Sequence, residues 1–107
     1  MKGTYLRFYM HENRKYHHIL LYEWLLEEAK KIGIGGGSVF RGIAGFGRHG
    51  VIHEEHFFEL AGDLPIEVEF LVSDADAERI LEMVKQARIR IVYVRAPVEY
   101  FMTEGEH

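Results

Sequence analysis

The sequence predicts an α+β sandwich, a four-stranded antiparallel sheet with two helices on one face. Three observations predict it. Several stretches alternate apolar and polar side chains with the period of two that a half-buried strand requires. Two others repeat apolar residues three and four apart, the spacing of one helical face. Glycine and proline punctuate the chain between the helical stretches and not inside them.

Lys2 to Met10 sends Leu6, Phe8 and Met10 one way and Tyr5, Arg7 and Tyr9 the other, a strand with one face in a core. The polar run His11 to Lys15 reads as a loop. From about Tyr16 to Ile32, Leu21, Leu25, Ala29 and Ile32 share a helical face, His17 and His18 stand at its start, and Gly33 ends it. Gly35-Gly36-Gly37 is a permissive connection. Ser38 to Phe46, with Val39, Phe40 and Ile43, reads as a second strand. Leu64-Pro65 opens a third, Ile66 to Val72. Asp74 to Ala87 is a second amphipathic helix with Ser73 or Asp74 as its N-cap. A fourth strand is expected over Ile89 to Val94, closed by Pro97, with a short edge strand at Val98 to Met102. The order β-α-β-β-α-β is the ferredoxin-like split arrangement, a single domain over residues 1–102 with a flexible tail at 103–107.

Composition narrows the function classes. The 107 residues contain no cysteine, which excludes disulfides, thiolate metal sites and cysteine nucleophiles. A net charge of −4 argues against broad nucleic-acid binding. No apolar run approaches the length of a membrane span, and the amino-terminal residues lack a signal peptide's apolar segment, so the expected location is cytoplasmic. One Asn and one Gln beside many charged residues is a thermophile-like pattern.

Helices on one face leave the other face of the sheet to be covered. Tyr5, Arg7, Tyr9, Arg41, Glu67 and Glu69 are assigned there, with Leu71 and Tyr93 beside them. Aromatic residues on such a sheet can stack bases, but Glu67 and Glu69 repel phosphates. Mixed Arg, Glu and Tyr fit self-association, with opposite charges pairing across subunits, better than a merely solvated face.

The strongest local signal is Arg41-Gly42-Ile43-Ala44-Gly45-Phe46-Gly47-Arg48-His49-Gly50. Its glycines open main-chain N–H groups to a ligand, and Arg41 and Arg48 supply charge for phosphate oxygens. No Gly-Lys-Ser/Thr follows, so it is not a Walker A loop, and no helix follows to make a dinucleotide fingerprint. By itself the segment reads either as a bent strand entering a loop or as a phosphate cradle.

Gly45-Phe46-Gly47-Arg48-His49-Gly50 resembles the glycine-rich entry to the long loop of PII signalling proteins. A fuller resemblance is to the PII-like family catalogued as a domain of unknown function. It covers most of the chain through Leu21-Tyr22-Glu23, Ala29-Lys30-Lys31-Ile32-Gly33, Val39 to Gly47, and Asp63-Leu64-Pro65. The resemblance implies a homotrimer that binds an adenine nucleotide, ADP or ATP, in clefts between subunits. It also implies a loop over residues 47–62 that relays occupancy to a partner protein, such as a membrane transporter or an enzyme. The implied site draws on Arg41, Gly45, Phe46, Gly47 and Arg48, with Lys85, Arg88, Arg90 and Arg95 neutralising phosphates; whether magnesium takes part is left open. PII proteins carry a glycine-rich loop before the last strand, where this chain has Gln86-Ala87-Arg88-Ile89.

His49, His53 and His56, with Glu54 and Glu55 between, offer a rival reading as a trimeric metal-binding protein. The spacing is not His-Glu-x-x-His, and His53 and His56 on a strand would face opposite ways. A third reading is a structural adaptor that binds no ligand. Catalysis has no comparable support: Asp63, Asp74 and Asp76 have turn and cap roles, and Ser38 lies in no nucleophile elbow. The expectation is therefore a regulatory protein, not an enzyme, with no nucleic-acid partner.

Overall fold

The computed structural model describes residues 1–45 and 64–106. Its elements are β1 (Lys2–His11), β2 (Lys15–Tyr16), β3 (Ile19–Leu20), α1 (Leu21–Lys31), β4 (Ser38–Arg41), β5 (Pro65–Val72), α2 (Asp74–Gln86) and β6 (Val92–Glu99). The main sheet runs β4-β5-β1-β6 with every pair antiparallel. This is the α+β ferredoxin-like sandwich.

Alternation along β1 and β5 builds the core. Leu6, Phe8 and Met10 stand opposite Phe70, Val68 and Ile66, and all six are buried beneath α1 and α2. Leu21, Leu25 and Ala29 from α1, with Ala77, Ile80 and Val84 from α2, complete the layer at helical spacing. The Phe8 and Phe70 rings meet edge to face, with centroids 6.2 Å apart. Ser73 caps α2 by accepting from the Asp76 N–H at 3.1 Å. The buried Thr4 hydroxyl donates to Asp74 at 2.6 Å, tying the start of that helix to β1. Gly33 closes α1 at φ +92°, a left-handed position suited to glycine.

Four expectations are corrected. Residues 15–20 form a hairpin, β2–β3, so α1 starts at Leu21; His17 and His18 are the turn, at φ 50° and 72°. The second strand is only Ser38–Arg41; Gly42 to Gly45 bend away, and Phe46 lies outside the described residues. The last strand starts at Val92 because Arg88, at φ 59°, turns the chain first. It also runs through Pro97 to Glu99: β6 is an edge strand, and a proline there need not interrupt the inward ladder.

The fourth correction concerns the sheet face without helices. Tyr5, Arg7 and Tyr9 lie there opposite Leu71, Glu69 and Glu67, as expected. Tyr93 pairs with Phe8 and Arg41 with Ile66, which puts both on the helix side; Val92, Val94 and Phe40 take the open face instead. The charges also pair within one chain. Arg7 donates to the Tyr5 and Tyr9 hydroxyls and lies 3.4 and 3.3 Å from Glu67 and Glu69. Four apolar residues stay exposed there: Phe40, Leu71, Val92 and Val94.

Candidate functional site

The register gathers four strand ends at one end of the sheet: His11 opposite Pro65, Arg41 opposite Ile66, and Val92 opposite Tyr9. Both stems of the segment 46–63 leave from this end. So does the turn between α2 and β6. Glu12, just past β1, binds both stems: its N–H donates to the Leu64 carbonyl at 2.8 Å, and its carboxylate pairs with Arg41.

At the β6 edge the chain presents cations. Ala87 is the C-cap of α2, and Arg88 follows with left-handed backbone, where glycine is the usual residue. An L-residue there costs about 1 kcal/mol. Lys85, Arg88 and Arg90 are all exposed. None has a side-chain hydrogen bond or ion pair among the described residues. Cations favour the carboxyl end of a helix by complementing its dipole, which accounts for Lys85. It does not account for a strained Arg88. The β2–β3 hairpin lies against this turn: Arg14 donates to the Arg90 carbonyl at 2.7 Å and the Tyr16 hydroxyl to the Ala87 carbonyl at 3.3 Å. Residues 14–18 and 85–90 together carry Arg14, Lys15, Lys85, Arg88 and Arg90 and no acidic side chain, on a chain with net charge −4.

The opposite end of the sheet has a different character. A cleft of about 690 Å³ opens between the Gly35–Gly37 connection, the open face and the start of α2. Tyr5, Phe40, Leu71 and Tyr100 supply aromatic and apolar wall, and Glu69, Ser73 and Asp76 supply acceptors. Gly37 makes the close approach possible, since a Cβ there would stand 2.6 Å from the Phe70 ring. Burial, and then the Glu69 carboxylate, push the Tyr5 hydroxyl above its ordinary range. Polar and apolar surface share the lining about equally, and its aromatic walls with their neighbouring acceptors can take a flat heteroaromatic ligand. Arg90 precedes β6 and Tyr100 follows it, so roughly 25 Å of strand separates the cationic turn from the cleft.

The residues expected at the site are thus only partly assembled. Lys85, Arg88 and Arg90 share one turn. Arg41 lies on the far edge strand, about 14 Å across three strand spacings, with Gly45 beyond it. Arg95 is elsewhere: it projects on the helix side opposite Leu6 and pairs with Glu78 of α2, whose hydrogen bond raises its pKa further. Phe46, Gly47, Arg48, His49, His53 and His56 fall outside the described residues, as does His107. Among the described residues no cluster of three metal-ligating side chains exists, and no helix is long and apolar enough to cross a membrane. Sequence reasoning missed Glu12, Arg14 and Tyr16. A His-His turn gives none of the Asn-Gly signal by which a two-residue hairpin is usually recognised.

The chain is similar to known proteins over most of its length. The profile of the family DUF190, described as uncharacterized ACR, matches residues 3–100. A UPF0166 protein from Aquifex aeolicus (strain VF5) is 35% identical over 85 residues, spanning 79% of this chain and 81% of that one. A UPF0166 protein from Methanocaldococcus jannaschii is 32% identical over 81 residues, spanning 76% and 74%. Among solved structures, a candidate PII-like signalling protein from Thermus thermophilus superposes with a TM-score of 0.59 at 20% identity, covering 91% of this chain and 87% of that chain. CPII from Thiomonas intermedia K12, a nitrogen regulatory PII-like protein solved with ADP, AMP and bicarbonate, gives 0.60 at 15% identity, covering 97% and 98%. At these identities the structural likeness shows a shared fold.

Proposed function

The chain belongs to the DUF190 family, and from that premise we propose that it is a PII-like regulator that binds an adenine nucleotide between the subunits of a homotrimer. One observation carries this reading: the aromatic cleft and the cationic turn stand at opposite ends of the sheet, roughly 25 Å apart along β6. One subunit cannot offer both to a single nucleotide. Two subunits can, if the cleft of one meets the turn of the next. The exposed Phe40, Leu71, Val92 and Val94 on the open face give such copies an apolar surface to bury. CPII, with the same fold, holds ADP and AMP.

In this reading the base enters the cleft, and Lys85, Arg88 and Arg90 meet the phosphates with charge-assisted hydrogen bonds. Arg41 and Gly45, with Phe46, Gly47 and Arg48 after them, couple the nucleotide to the 47–62 loop, whose state sets affinity for a partner protein. Arg95, committed to Glu78, contributes less. The role is cytoplasmic sensing, not catalysis.

The test is thermal unfolding with ADP, ATP and AMP, each with and without magnesium. A ligand at 100 times its dissociation constant adds about 2.7 kcal/mol, a rise of several degrees in the midpoint. A saturable rise with ADP or ATP that Arg88→Ala reduces is the expected result. No rise with any adenine nucleotide contradicts the reading.

A further inference from the structure

We propose that Arg14, just before the β2–β3 hairpin, and Tyr16 within it are positioning residues for the cationic turn, holding Arg88 and Arg90 where a phosphate meets them; this rests on the phosphate-binding role given to that turn above. Arg14 is fixed before it reaches the turn. Its N–H donates to the His11 carbonyl at 3.1 Å and its carbonyl accepts from the Leu21 N–H at 2.8 Å, so its backbone bridges the end of β1 and the start of α1. From that anchored position the guanidinium donates to the Arg90 carbonyl at 2.7 Å. Tyr16 is anchored as well, its ring 4.8 Å from Trp24 of α1, and its hydroxyl donates to the Ala87 carbonyl.

The two gripped carbonyls bracket Arg88, whose φ of 59° is a conformation an L-residue holds only where its surroundings over-determine it. The hairpin supplies that constraint from outside the turn. A glycine-rich turn reaches the same backbone without strain but offers no side chain. A clamped arginine turn keeps the backbone shape and adds a guanidinium at its apex. The hairpin's own strain fits the same role, because His17 and His18 both sit at positive φ in the two residues that reverse the chain and deliver Tyr16 to the turn.

The test compares wild type, Arg14→Ala, Arg14→Lys and Tyr16→Phe by calorimetric titration with ADP and with adenosine, and by amide hydrogen exchange at residues 87–91. Arg14→Ala is expected to weaken ADP about tenfold, the loss of one charge-assisted hydrogen bond. It should leave adenosine binding within about twofold and speed exchange at 87–91. Arg14→Lys still reaches a carbonyl and should recover most of both effects. Tyr16→Phe keeps the ring against Trp24 and should weaken ADP about threefold, as loss of a longer, neutral bond does. Weakened ADP with unchanged exchange makes Arg14 a direct phosphate contact and overturns the positioning role. Equal losses for ADP and adenosine overturn it as a general loss of structure. If wild type binds no ADP, the nucleotide reading fails on its own, and exchange decides the clamp: faster at 87–91 in Arg14→Ala upholds it, unchanged overturns it.

Discussion

The two faces of the sheet are built from the same strands and finished in different ways. On the helix side Leu6, Phe8, Val68 and Phe70 are almost wholly shielded by the chain itself. On the open side the central charges are paired, since Arg7 directs its guanidinium at two tyrosines and two glutamates, while Phe40, Leu71, Val92 and Val94 are left to solvent. A face whose charges are already paired and whose apolar residues are not is prepared for burial without a desolvated lone charge. The difference teaches that the residues that fold the subunit are separate from those offered to the proposed assembly, so the two can be broken separately.

The largest effect is expected on the covered face. Phe8→Ala should cost about 3–5 kcal/mol in urea or thermal unfolding. Val94→Asp, one residue along the neighbouring strand and on the other face, should leave the unfolding of the subunit near wild type and lower the sedimenting mass to a monomer. A Val94→Asp chain that unfolds, or one that keeps its assembled mass, breaks the separation of roles. Arg7→Ala should destabilise the chain far less than Phe8→Ala, because Glu67 and Glu69 lose their shared cation but remain partly solvated. Arg88→Gly sharpens the contrast from the other end of the molecule. Relieving the left-handed arginine should raise unfolding stability by about 0.5–1 kcal/mol while weakening ADP, so stability and binding move in opposite directions.

The smallest effect is in alkaline solution. Burial and Glu69 raise the Tyr5 pKa above its ordinary 10.0. The folded chain therefore holds this proton more tightly than the unfolded one, and the associated stability is complete below about pH 10 and declines as pH rises beyond it. Tyr5→Phe should flatten that part of the stability profile; an unchanged slope would remove Tyr5 from the cluster.

The architecture was legible where one physical signal dominated. Period two in β1 and β5, helical spacing in α2, Ser73 as a cap and Gly33 as a stop all stand where expected. Legibility failed where tertiary contacts decide. His17-His18 turns the chain although neither residue is a turn former of the usual kind, so the hairpin was hidden inside an extrapolated helix. Ile89 and Ile91 look like strand residues but are half-buried beside the core in a turn set by Arg88. For the candidate site, the cationic side chains at 85–90 were legible as a basic cluster, but their separation from Arg41 and Arg95 depends on strand order. Arg14 gave no sequence signal, because the role proposed for it rests on a hydrogen bond to a carbonyl 76 positions away.

The central claim is that a nucleotide is held by two subunits and not by one. Calorimetric titration of ADP into the native assembly and into Val94→Asp, each with its mass measured by sedimentation, addresses it most directly. The expected result is about one ADP per subunit in the assembly and little or no binding by the folded monomer. Equal affinity in monomer and assembly, or no ADP bound by the assembly, would contradict it.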